Sequence, residues 1–118
     1  MKVNLNTLDL FDDLAGQLFD QWFDLDMLER DEEREEVRMF FGRSRKGPFN
    51  RCLTIKGVKN LAIDDKERVG INTLEDIRID LNRERLVITG HVPLKVVADI
   101  GPNFSIELST ADNREGSS

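Results

Sequence analysis

The apolar residues of this chain change their spacing at Val37, and that change sets what the chain can fold into. Before it, Leu8, Phe11, Leu14, Ala15, Leu18, Phe19 and Trp22 recur at intervals of three and four. That spacing lines one stripe of a helix. After it, apolar residues alternate with polar ones, and β-branched residues become common. A period of two places them on one face of a strand. The chain therefore predicts one N-terminal amphipathic helix over 7–23, with Asn6 or Thr7 as its cap and a possible continuation through Leu25, Met27 and Leu28.

Seven short strands follow from the alternation. Residues 36–42 turn Val37, Met39 and Phe41 inward. Residues 51–56 set Leu53 and Ile55 against Cys52, Thr54 and Lys56. Leu61 and Ile63 mark a third. Residues 75–81 set Ile77, Ile79 and Leu81 against Asp76, Arg78 and Asp80. Residues 85–91, 94–100 and 104–109 complete the set. Gly47-Pro48, Gly57, Asp64-Asp65, Gly70, Asn82 and Gly101-Pro102 read as the turns between them. The connections are too short for crossover helices, so the strands should pair antiparallel. Alternation also implies a sheet with one buried and one wetter face.

The expected fold class is α+β: the helix packs on a mostly antiparallel, meandering sheet of six to seven short strands, with Phe11 and Trp22 as its anchors. Residues 1–109 read as one domain and 110–118 as a loose tail. Residues 29–36 have no apolar side chain and fit a linker, a helix end or an exposed strand start. No internal repeat is evident.

Composition narrows the function. The chain has 118 residues, a net charge of −6 and a single cysteine, Cys52. One cysteine excludes an internal disulfide framework and a cysteine zinc cluster. Asp9, Asp12 and Asp13 break the apolar residues near the start, so a secretory leader is not expected. No window is apolar enough for a membrane span. These features suit a cytoplasmic protein that needs no cofactor and no membrane.

The charge is sorted along the chain. Residues 1–36 carry twelve acidic and three basic side chains, while 37–59 carry seven basic and no acidic ones. Segregated charge favours docking on a partner of opposite sign. The leading expectation is a non-catalytic adaptor or immunity-type module that meets the basic surface of a protein partner through Asp12, Asp13, Asp20, Asp24 and the 32–36 acidic run. The alternative uses the segment from Gly42 to Arg51, where Arg43, Arg45, Lys46 and Arg51 flank Phe49. A cationic loop with an aromatic suits nucleic acid or another anion. Its G-x-x-x-x-G spacing is followed by Pro48-Phe49, so it is not a P-loop. An open edge strand would allow a homodimer as well as a monomer.

Catalytic signatures are sparse. His91 is the only histidine, and it ends a strand before Val92-Pro93. Cys52 has no base beside it in sequence. Asp64, Asp65 and Glu67 lack the alternating ligand spacing of a calcium loop. No nucleophile elbow or zinc-protease motif is present. The chain is therefore not expected to be an enzyme.

Overall fold

A computed structural model describes residues 1–68 and 70–110. The elements are strand β1 (Lys2–Asn4), helix α1 (Phe11–Leu18), and strands β2 (Trp22–Asp24), β3 (Glu29–Asp31), β4 (Glu36–Gly42), β5 (Arg51–Asp64), β6 (Ile71–Asp80), β7 (Arg85–Gly90) and β8 (Leu94–Thr110). Single 3-10 segments cover Leu5–Leu10 and Leu25–Met27. At the coarse level this is the expected N-terminal helix with an antiparallel sheet. The sheet, however, is not open. Strands run β8-β5-β4-β2-β6-β7, and β7 pairs back onto β8, so six strands close into a barrel. β1 extends the wall along β8, and β3 pairs the lower part of β4. Every pairing is antiparallel.

Closure changes the role of the helix. A closed wall has no open apolar face to cover, yet the apolar side of α1 still joins the core. Phe11, Leu14 and Leu18 are buried in the same core as the strand residues Phe23, Phe41 and Leu53. Each such side chain contributes about 1.5–3 kcal/mol by leaving water. The helix is shorter than the stripe implied. Residues 5–10 are 3-10, capped by Asn4, whose side chain accepts from the Asn6 amide, while Thr7 Oγ1 accepts from the Asn4 amide. After Leu18 the backbone turns extended at Phe19, and Asp20 takes a positive φ of 62°. Trp22 thereby lies on β2 and is only half-buried, and Phe19 is 57% exposed. Of the two predicted anchors, Phe11 is buried and Trp22 is not.

Two expected turns are bends within long strands. Gly57 has φ +83° and sits at the register shifts between Lys56 and Asn60. A Cβ there would lie 3.0 Å from Phe104 Cα. The bulge bends β5 without ending it. Gly101-Pro102 falls where β8 leaves its ladder with β7 at Asp99 and has not yet met β1 at Ser105, so the missing proline N–H breaks no ladder bond. The expected strand over 75–81 runs instead from Ile71 to Asp80, which leaves Leu81 exposed in the turn. The expected tail over 110–118 lies outside the described residues except for Thr110, which ends β8.

Two segments of the barrel share one local geometry. Residues 22–24 and 29–42 correspond in order to 71–73 and 78–91, while a 3-10 segment at 25–27 stands where β6 runs on through a register shift at 74–76. In the first copy Asp31 Oδ1 accepts from the Arg34 amide at 3.1 Å, and the Glu35 amide donates to Glu32 O at 3.3 Å. In the second, Asp80 Oδ1 accepts from the Arg83 amide at 3.2 Å, and the Glu84 amide donates to Leu81 O at 3.4 Å. Glu35 and Glu84 each hold φ +53°. Val58 N donates to Glu35 O and Ile100 N to Glu84 O, both at 2.8 Å. Equivalent residues then face each other across the barrel. Phe23 pairs with its counterpart Asn72 between β2 and β6, and Val58 pairs with Ile100 between β5 and β8. This is an approximate two-fold relation between two three-stranded halves.

Candidate binding surface

The two halves differ most at equivalent connections. β4 joins β5 through residues 43–50, whereas β7 joins β8 through His91, Val92 and Pro93. The short connection is clamped by Asn72, which is 3% exposed. Its Nδ2 donates to Val92 O at 2.9 Å, and its Oδ1 accepts from the amides of Thr73 and Val92 at 2.8 and 3.2 Å. A Cβ on Gly90 would overlap the Asn72 amide. In the first half those two positions are Phe23 and Phe41, whose rings pack at 5.5 Å between centroids.

Freed from such a clamp, the β4–β5 loop folds on itself. Ser44 Oγ donates to Gly47 O at 2.8 Å, and Gly47 N donates to Ser44 O at 3.0 Å. Gly47 has φ +86° and precedes a cis proline peptide bond to Pro48. A Cβ on Gly42 would collide with Pro48 O, so only glycine lets the loop fold back. Phe49 is half-buried, outside the main core, and its ring approaches Gly47. Arg43, Arg45 and Lys46 are exposed, with no carboxylate within 4 Å among the described residues. By contrast Arg30, Arg34, Arg38, Arg78, Arg83 and Arg85 each hold an ion pair.

Arg51 begins β5 beside the helix, and its Nη1 donates to Gln17 O at 2.9 Å. Between this corner and the loop lies a cleft of about 310 Å³ lined by Gln21, Arg43, Ser44, Asn50, Arg51 and Thr110 among others. Of the four predicted cations, Arg43 and Arg51 line this cleft, and Arg45 and Lys46 project from the same loop. Gln21 carries no signal in the sequence that marks it as part of a site. It lies opposite the apolar stripe of the predicted helix 7–23, but α1 ends at Leu18.

The acidic residues lie on several elements. Asp12 and Asp13 are exposed in the first turn of α1. Asp24 caps the second 3-10 segment, with Oδ1 accepting from the Asp26 amide at 2.9 Å. Asp20 Oδ1 lies 3.6 Å from His91 Nε2. Glu35 pairs with Lys59, and Glu29 and Glu36 pair with Arg38. The β3–β4 hairpin and β5 thus bring acidic and basic segments together, and the expected separation of charge is partly undone. Glu36, 9% exposed, is buried in this pairing, with Arg38 Nη2 at 3.0 Å.

The single histidine and cysteine lie on different elements. His91 Nδ1 is 2.9 Å from Thr73 Oγ1 across the clamped connection. Cys52 points away from Leu53 onto the outer wall, buried, with Sγ 3.6 Å from Thr54 Oγ1. Among the described residues no cluster of three or more His, Cys, Asp or Glu side chains could hold a metal ion. No described helix is long and apolar enough to cross a membrane. No family model, curated protein or solved structure matches this chain.

Proposed function

We propose that this protein is a non-catalytic binding module that docks an anionic partner on its β4–β5 loop. One observation carries the reading. Arg43, Arg45 and Lys46 are exposed and unpaired on a folded loop, in a chain whose other arginines are mostly paired internally. Cations held out on an ordered loop lose little freedom when a partner binds, and complementary charge speeds the encounter. The loop exists in one half of the barrel only, so the fold does not require it.

The test is retention on a polyglutamate matrix. A chain of net charge −6 is repelled by a polyanion on average, so retention reports a local cationic patch. The triple variant Arg43→Ala, Arg45→Ala, Lys46→Ala should elute at markedly lower salt than the parent. Co-elution of the two proteins would end this reading.

A second reading has one observation in its favour: Asp12 and Asp13 are exposed on α1 and form no ion pair among the described residues. They could meet a basic protein surface. Retention on polylysine that survives Asp12→Asn with Asp13→Asn would remove it.

A further inference from the structure

We infer that the cleft beside the cationic loop receives an acidic peptide segment, with a carboxylate held by Arg43 and Arg51 and an adjoining peptide group held by the Gln21 side chain. The inference rests on the docking role of the loop and adds the chemistry of the partner. The cleft, about 310 Å³, joins guanidinium groups to two amides, Gln21 and Asn50, and two hydroxyls, Ser44 and Thr110. Guanidinium groups bind carboxylates through paired N–H donors. Arg51 is already oriented by its bond to Gln17 O, which lowers the ordering cost of using it.

Gln21 supplies the independent observation. Its Oε1 is buried and has no hydrogen-bond partner among the described residues. Such an atom costs about 1–3 kcal/mol of desolvation unless something bonds it. The terminal amide torsion of glutamine is soft, so the side chain can turn to bring its amide within reach of a peptide group in the cleft. A peptide group offers both an N–H and a C=O to that amide. The second half of the barrel has no equivalent: Gly70 stands where Gln21 does, and the connection there is closed by Asn72.

The lining also distinguishes a peptide from a nucleic acid. Single-stranded nucleic acids are held largely by stacking on aromatic side chains. Among the described residues no aromatic lines this cleft, and Phe49 turns its ring toward Gly47.

The experiment uses the full chain, a fluorescent glutamate-rich peptide and an oligothymidylate of the same length, read by anisotropy at low and physiological salt. The parent should bind the peptide more tightly than the oligonucleotide. The triple loop variant should lose peptide affinity about tenfold or more, since several charged contacts go together. Gln21→Leu should weaken peptide binding about fivefold, the effect of one hydrogen bond, while its thermal unfolding midpoint stays level or rises. Gln21→Glu provides a second reading that keeps the side-chain shape and should repel the peptide more strongly still. Unchanged peptide binding by the triple variant overturns the docking role itself. Loss in the triple variant with parental binding in both Gln21 variants, or tighter binding of the oligonucleotide than of the peptide, leaves the loop reading standing and overturns the peptide inference.

Discussion

The two halves of the barrel solve one packing problem in opposite ways. Where the first half places Phe23 against Phe41, the second places Asn72 against Gly90. The aromatic pair fills the interior by burial alone and makes no demand on the connection that follows. The asparagine is satisfied only if the backbone at Val92 returns to meet it, which holds that connection to three residues. A polar clamp therefore shortens one loop, and an apolar pair leaves the other free to lengthen, curl and carry cations. The difference locates the part of the surface that the fold does not need for itself.

Substitutions at matched positions test this comparison. The largest effect should come from Phe23→Ala, which removes a ring that is 1% exposed. A cost of about 4 kcal/mol is expected, read as a fall in the denaturant midpoint. A loss below about 1 kcal/mol would mean that the ring does not hold the first half together.

Asn72→Ala should cost about 2–3 kcal/mol, because Val92 and Thr73 backbone groups lose their partners inside the protein. Hydrogen exchange should then accelerate at the Val92 amide but not in the β4–β5 loop. Equal acceleration in both connections would show that the halves are not independently held.

The smallest effect concerns the paired turns. Glu84 occupies the left-handed region, which is unfavourable for a side chain with a Cβ. Glu84→Gly should raise stability by about 0.5 kcal/mol, the relieved strain being offset by added freedom in the unfolded chain. Glu35→Gly should gain less, since Glu35 also meets Lys59 at 3.2 Å. A larger gain at Glu35 than at Glu84 would break the equivalence of the two turns.

The repeat left a faint trace in the sequence. Asp31, Arg34 and Glu35 recur as Asp80, Arg83 and Glu84, and Leu25 recurs as Leu74, but no other position of 22–42 agrees. Strand faces tolerate many apolar exchanges, such as Val37 for Leu86 or Met39 for Ile88, so identity fades while pattern remains. The Asp-x-x-Arg-Glu turns were the available signal. They persist because each residue has a backbone duty: Asp accepts from the Arg amide, and Glu adopts the left-handed conformation.

The candidate site was half legible. Its cations stand out as an uninterrupted basic run with no acid among them. Gln21 does not, because its importance depends on where the helix stops and on the arrival of Arg51 from a distant strand. The partners of the acidic residues were not legible for a similar reason. Charge order along a chain says nothing about strand pairing, and pairing puts Glu29 and Glu36 beside Arg38, and Glu35 beside Lys59.

By itself the sequence determined which side chains of β4 face inward: Val37, Met39 and Phe41. Side-chain direction follows from a period of two that is written locally. Only the tertiary structure decided that the wall closes, that its halves repeat, and that a glutamine and two arginines share one cleft. Those outcomes depend on register between segments far apart in the chain, and a bulge such as the one at Gly57 resets that register without altering the local pattern.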